Sequence, residues 1–325
     1  MRIVAMGLIA AIVSGCQTLA PGPAPRATSS ADPVARLTAA LAGSFDNHEQ
    51  TLRVDAPGAA PVQDVRHTFR LAGNDRDGAW MLWTVQAAGA KNTAAAWLMR
   101  IANTGGRVAL TPYRANVPAA LQELADPKRS FAFQADQWTA LEPCTQSGIW
   151  DNATFSAASN SAACSAVLPG LGPEAALLPI RFSIDNDLLR VATFADTARG
   201  PTATEEARRV RWFKGWGAIN GGGPAAKAAN QDWHVDRDLR LSSEGGRVPL
   251  RWRDGSASGW SLELERRTYT ERNLAVLQLN VVDDANGNVL TYVWTDPATH
   301  SIGMNLGWLQ IGFTEEPSNR EGARP

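Results

Sequence analysis

The feature that most limits what this chain can fold into is a succession of short runs in which apolar residues recur at every second position, separated by turn-forming residues. Val65 to Leu71, Ala79 to Gln86, Ala95 to Ala102 and Arg107 to Tyr113 are each one strand long. Between them, Gly73-Asn74-Asp75 and Asn103-Thr-Gly-Gly106 supply positive-φ positions at low cost. The pattern is an antiparallel meander, and it makes the chain mainly β. After a short helix over Val117 to Ala125 and an irregular loop from Cys144 to Cys164, strands resume at Leu178 to Ile184, Leu188 to Ala195 and Val210 to Gly215.

A Gly/Ala-rich break over residues 221–231 then sets off a C-terminal β region, residues 232–325 with a short tail, which either forms a second antiparallel β unit, as the break favours, or extends the first barrel. Its strands are expected at Asp238 to Ser243, Arg247 to Arg253, Gly259 to Tyr269, Leu274 to Val282, Val289 to Trp294 and Ile302 to Phe313. Asp283-Asp-Ala-Asn-Gly-Asn288 is the clearest hairpin turn. Ahead of the first unit, residues 32–220, Asp32-Pro33 marks a helix start, with Asp as cap and Pro in the first turn where its missing N–H costs nothing. Leu37 and Leu41 lie on one helical face and Gly43 is a natural stop. From Ser44 the period turns toward two.

Residues 1–16 carry Arg2, an apolar run from Ile3 to Val13, and Ser14-Gly15-Cys16. That is a signal-peptide pattern, too short for a permanent membrane span. Its end resembles a bacterial lipobox, in which Cys16 is acylated and becomes the mature N-terminus; a cysteine that happens to follow a generic signal is the plainer alternative. Residues 17–31 are rich in Pro, Ala, Ser and Thr and suit a flexible tether. With Gln17 after the lipid cysteine, the expected address is the outer membrane, as a lipoprotein facing the periplasm, with the membrane as partner through the lipid anchor.

A formal net charge of -1 leaves no basic excess to neutralise phosphates, which argues against nucleic acid. In an oxidising compartment Cys144 and Cys164 are expected to pair, closing a loop worth about 3 kcal/mol; the alternative is a thiol that holds a ligand covalently. His48, His67, His234 and His300 show no ligand spacing, so no metal site is expected, and there is no nucleophile elbow, P-loop or dinucleotide fingerprint. Asp283, Asp284 and Asn286 are too short a run for a calcium loop and read as a solvated turn.

Leu41-Ala-Gly-Ser-Phe-Asp-Asn-His-Glu-Gln50 resembles the opening motif of the CpcT/CpeT-type phycobiliprotein chromophore lyases, Leu-x-Gly-x-Phe-x-Asn-x-x-Gln, with Gly43, Phe45, Asn47 and Gln50 matching in place. Leu82-Trp83-Thr84-Val85-Gln86 is similar to that family's Leu-Tyr-x-Glu-Gln, keeping the Gln and losing the Glu. Ala96-Trp97-Leu98-Met99-Arg100 keeps only the last Arg of its Pro-Tyr-Arg-x-Arg element. Val108 to Arg114 resembles its next strand with a Tyr-Arg ending, and Asp196-Thr-Ala-Arg-Gly200 its Asp-Arg-Gly turn; the two cysteines fall at about the family positions. The resemblance spans about residues 35–220. It implies a lipocalin-like antiparallel calyx barrel, preceded by a short helix, that holds a bilin or other tetrapyrrole. Asn47, Gln50, Trp83, Gln86, Arg100, Tyr113, Arg114, Asp196 and Arg199 are the ligand-binding candidates. Propionates call for Arg, and protonated pyrrole nitrogens for a carboxylate, so Val85 and Leu98 each remove one family group.

Each candidate also has a plainer reading. Asn47 and Gln50 could satisfy loop backbone, Phe45 is a plug under the barrel floor, and His48 reads as a lone solvent-facing histidine. The tryptophans from Trp212 to Trp308 read as core, with stacking on sugar or a tetrapyrrole as the alternative. Three functions are compatible: a calyx that binds a small apolar or tetrapyrrole-like ligand, a lyase that attaches a bilin to a cysteine of an acceptor protein, or an envelope structural protein. No catalytic residue can be named.

Overall fold

The computed structural model describes residues 32–53, 62–87, 90, 93–126, 131–171, 173–193, 204–226 and 232–317. Residues 1–31, with Cys16, the signal pattern and the tether, lie outside the described residues, as do Asp196 and Arg199. No helix among the described residues is long and apolar enough to cross a membrane.

The expected first helix forms as α1 (Pro33–Leu41), with the Asp32 carboxylate accepting from the Val34 N–H at 3.1 Å. Its face of Val34, Leu37 and Leu41 is buried in the core of the first unit. The chain then enters β1 (Gly43–Asp46) and the short α2 (His48–Leu52). A meander follows of β2 (Val65–Asp75), β3 (Gly78–Ala87), β4 (Ala95–Thr104) and β5 (Arg107–Ala115), and then α3 (Pro118–Ala125). Next come β6 (Trp138–Ala140), β7 (Gln146–Asp151), β8 (Thr154–Ala158), α4 (Ser161–Ser165), β9 (Pro179–Asp185), β10 (Leu188–Thr193) and β11 (Glu205–Arg209).

Ten of these strands close into an antiparallel barrel in the order β4-β3-β2-β1-β11-β10-β9-β8-β7-β5, with β5 returning to β4 and β6 pairing outside the ring. The register puts the tight turns after Asp75, Thr104, Asp151 and Asp185 at one end of the barrel, and α1 closes that end. Trp150 Nε1 donates to Pro33 O at 3.4 Å, while the Arg209 guanidinium takes the carbonyls of Ala40 and Ala42 at the helix C-terminus and lies 4.4 Å above the Phe45 ring. The lumen is filled by Phe45, Met81, Trp83, Trp97, Met99, Phe155 and Phe182, all at most 2% exposed. Phe45 is thus the apolar plug of its plainer reading.

The second unit is a β-sandwich. One sheet runs β13-β12-β19-β18 and the other β14-β15-β16-β17, where β12 is Trp212–Asn220, β13 Trp233–Ser242, β14 Glu244–Arg251, β15 Ala257–Tyr269, β16 Leu274–Asp283, β17 Val289–Thr295, β18 Ser301–Asn305 and β19 Leu309–Glu315. Phe213, Leu241, Ile311 and Phe313 of one sheet pack on Leu262, Leu264, Leu277 and Leu279 of the other. The expected turn after Asp283 joins β16 to β17, with Gly287 at φ +75°.

Three expectations change. The segment from Cys144 to Cys164 is not an irregular loop: it contains β7 and β8, two barrel staves. Their inward residues include Gly148, which is hard against the Phe155 ring, so small side chains hide the alternation. The run Ile302 to Phe313 is two strands, because the chain reverses at Gly307 with φ +82°. The strand expected at Val210 to Gly215 is β12, which pairs with β13 and β19 in the sandwich, so the chain leaves the barrel at Val210–Arg211, ahead of the glycine-rich break.

Cys144 and Cys164 are joined in a disulfide that ties α4 to the segment before β7. Both are fully buried beside Leu171, Ala175 and Leu178. Replacing both by Ala should lower stability by about 3 kcal/mol, visible as a lower denaturation midpoint in a guanidinium titration of the oxidised wild type against the variant.

Candidate functional site

At the barrel end opposite α1, four inward polar side chains interrupt the apolar lumen. Each sits within three residues of a strand terminus: His67 on β2, Trp97 on β4, Gln146 on β7 and Glu205 on β11. All are buried, at 1%, 1%, 0% and 6% exposure. Trp83 Nε1 lies 3.2 Å from His67 Nδ1, and His67 Nε2 lies 3.0 Å from Glu205 Oε2. An indole N–H can only donate. His67 Nδ1 therefore accepts, and the imidazole carries its proton on Nε2, aimed at Glu205. The remaining pair is unsatisfied: Trp97 Nε1 is a buried donor and Gln146 Oε1 a buried acceptor with no hydrogen bond, although the Gln146 amide nitrogen donates to Pro179 O at 2.6 Å.

Val85, where the resemblance leads one to expect a Glu, is buried and pairs across the sheet with His67, and the carboxylate that reaches His67 is Glu205 of β11.

The other candidates divide by location. Asn47 and Gln50 spend their amides on backbone: Asn47 Oδ1 accepts from Val65 N at 2.7 Å and Nδ2 donates to Gln63 O at 2.9 Å. Gln50 Oε1 accepts from Glu206 N at 2.9 Å and Nε2 donates to Thr204 O at 2.9 Å. They lock α2 onto β2 and β11. Trp83 faces the lumen, and Arg114 continues the inward register beyond Pro112, already engaged in a contact of its own. Gln86 donates to Ala90 O at 2.5 Å.

Arg100 and Tyr113 come together, but on the outer wall. Arg100 lies 5.2 Å over the Trp80 ring and 3.2 Å from Asp75, and Tyr113 meets Trp80 edge-on at 5.1 Å. Leu98 is in the same outer cluster, under α3. With Cys144 and Cys164 paired, the covalent ligand-thiol alternative has no sulfur available among the described residues.

Sequence reasoning missed what the opening motif does on its other side. His48 is not a solvent-facing histidine. Its Nδ1 lies 3.0 Å from Asp64 and its Nε2 3.4 Å from Glu265 of β15, so it bridges barrel and sandwich. Burial opposes the charged ring, but the hydrogen bonds and charges of Asp64 and Glu265 prevail and raise its pKa to about 10. The Gly245 backbone, at φ +75°, passes so close that a Cβ there would lie 2.8 Å from the imidazole. Next to His48, Glu49 is 1% exposed and is held by Arg208 of β11, by the Thr268 hydroxyl of β15 and by Arg266 at 3.7 Å. Burial works against its charge, yet these donors hold its pKa below the usual value.

Glu244 lies at the same junction. Burial, together with the charges of Glu49 and Asp46, pushes its carboxyl up to about 8, and its Oε2 has no hydrogen bond. The signal for this junction was weak: it consists of ordinary charged residues far apart in the chain.

The fold is a closed ten-stranded antiparallel barrel, compatible with ligand binding, that carries a β-sandwich. The chain matches no protein-family model and no curated protein.

The junction sets a pH dependence. Both groups hold a proton more tightly in the folded chain, so each contributes stability at low pH that is lost as pH rises: Glu244 between 4.5 and about 8, and His48 between 6.5 and about 10. Thermal unfolding should show a melting temperature falling through these windows. Glu244→Gln should flatten the lower window and His48→Gln the upper; unchanged slopes in both variants would contradict the assignment.

Proposed function

We propose that the protein is a ligand-binding barrel of the chromophore-lyase type, taking at its mouth a planar, largely apolar molecule that carries both N–H donors and carbonyl acceptors, as a tetrapyrrole does. The observation that carries this reading is the unpartnered pair of Trp97 Nε1 and Gln146 Oε1, buried at the same end of the lumen as the Trp83–His67–Glu205 chain. An unmade hydrogen bond at a buried polar atom costs about 1–3 kcal/mol. A ligand that offers an acceptor to the indole and a donor to the amide recovers that cost on binding. A pyrrole N–H next to Glu205 has an acceptor, and the indoles of Trp83 and Trp97 offer flat apolar walls.

The site lies at the mouth, not deep in a calyx, because the half of the lumen beneath α1 is filled by Phe45, Phe69, Met81, Met99 and Ile101. Both indoles are covered, so a ligand displaces what lies over this end, where α4 is tied down by the Cys144–Cys164 bridge. Binding is favoured over bilin transfer because the attacking thiol in transfer belongs to an acceptor protein, and transfer asks of the barrel only that it hold the chromophore. The lipobox-like start supports the further reading that this barrel is exported and held at the outer membrane, facing the periplasm, through acylated Cys16.

Titration of the full chain with biliverdin, haem and a panel of lipids should quench tryptophan fluorescence for at least one planar ligand. Trp97→Phe and Gln146→Leu should each weaken that binding by about tenfold. No quenching by any of these ligands, or undiminished affinity in both variants, would overturn the reading. Anchoring is checked separately: a radiolabelled fatty acid should enter the wild-type chain in a bacterial host and not the Cys16→Ser variant.

A further inference from the structure

The sandwich carries an aromatic plate unrelated to the barrel mouth. Trp216, on β12, is 39% exposed and sits opposite Gly312 of β19. A Cβ added at Gly312 would fall 3.0 Å from Trp216 Nε1 and 3.2 Å from Cε2. The Nε1–Cε2–Cζ2 edge of the indole is therefore packed over the Gly312 backbone, and part of the ring is accessible from outside. On either side of it is a shallow, open cleft. One, of about 410 Å³, is lined by Trp216, Ala218, Trp233, Val235, Arg237 and Gln310. The other, of about 480 Å³, includes Trp216, Lys214, Arg237, Asp238 and Thr314. Trp216 and Arg237 belong to both, so the clefts run together across the plate. On β18, Ser301 and Asn305 stand opposite Thr314 and Gln310 and are exposed.

The chemistry of this surface is specific. The floor beside the ring is small, Gly312 and Ala218, and the rim is amide, hydroxyl and guanidinium. Lys214 is matched to Asp238 at 2.8 Å and Arg240 to Glu316 at 2.8 Å, and Asp238, Glu315 and Glu316 line the same cleft as the remaining cation, Arg237. An anion therefore gains little here, and a lipid or an apolar protein face would leave the polar rim unpaired. A pyranose ring has C–H groups on its faces and hydroxyls around its edge, which matches an apolar plate with a polar rim. Equatorial β-1,4 linkages keep those faces flat along an extended chain, and two clefts flanking one plate fit successive sugar units of such a chain.

We propose that the outer face of the β13-β12-β19-β18 sheet is a binding surface for a β-1,4-linked polysaccharide, with Trp216 stacking on a central sugar and Gln310 and Arg237 hydrogen-bonding its neighbours. The site is independent of the barrel mouth.

The test is affinity electrophoresis of the full chain in gels containing hydroxyethylcellulose, with pull-down on insoluble chitin and, for comparison, gels containing the α-linked glucan dextran. The wild type should be retarded by hydroxyethylcellulose or retained on chitin, and should run freely in dextran. Trp216→Ala should weaken retention by about tenfold or more, and Gly312→Ala, which lifts the ring off the sheet, should weaken it with Trp216 still present. Trp294→Ala, an exposed tryptophan of the other sheet at 54% exposure, should bind as wild type. Melting temperatures establish that each variant is folded, and Gly312→Ala carries the test should Trp216→Ala fail to fold. The proposal is overturned if the wild type binds neither β-1,4 polymer, if dextran retards it equally, if folded Trp216→Ala or Gly312→Ala binds like wild type, or if Trp294→Ala loses as much.

Discussion

The carboxylate of Glu49 is the point on which the arrangement of the two units turns. Almost fully buried, it receives Arg208 from the last barrel strand and Thr268 and Arg266 from the long sandwich strand β15. Removing such a charge from water is costly unless partners surround it, so the three donors have to come together wherever Glu49 goes. His48 adds a second bridge one residue earlier, and Arg66, 5.7 Å from the Trp212 ring, adds a third. The sandwich is thereby fixed to the barrel by a short helix of five residues, although the chain passes directly between the two units only once, at Val210–Arg211.

That attachment stands beside the polar end of the lumen, where Gln50 of α2 bonds backbone on both sides of Glu205, and it reaches the Trp216 sheet at Trp212. The lumen is sealed at the α1 end by apolar packing, and its polar layer stands at the other end. The Trp216 face belongs to the sheet β13-β12-β19-β18, whereas the Glu49 and His48 contacts fall on β14 and β15 of the opposite sheet.

Much of the fold can be read from the residues because period-two alternation is a local signal. The meander β2 to β5, the capped helix α1 and the hairpin at Asp283 all rest on neighbours in sequence. Staves β7 and β8 escaped notice because they fill their places with Gly148, Ala157 and Gln146, whose inward role depends on the large rings opposite them. The strand after Val210 belongs to the sandwich because β13 and β19 pair with it, and neither partner is nearby in the chain.

The site was less accessible for the same reason. Asn47 and Gln50 announce the barrel and are consumed in building it, each amide satisfying backbone on two neighbouring segments. Trp83 does reach the lumen, while Arg100 and Tyr113 reach its outside, a division decided by one step of register. The sequence by itself determined a mainly β chain, a capped entry helix and a cysteine pair, since propensity, turn chemistry and alternation act over a few residues. Only the tertiary structure decided that Glu205 would meet His67, that His48 would meet Glu265 and that Trp216 would lie on Gly312. Those encounters join segments far apart in the chain, and it is the neighbours brought together there that give them their chemistry.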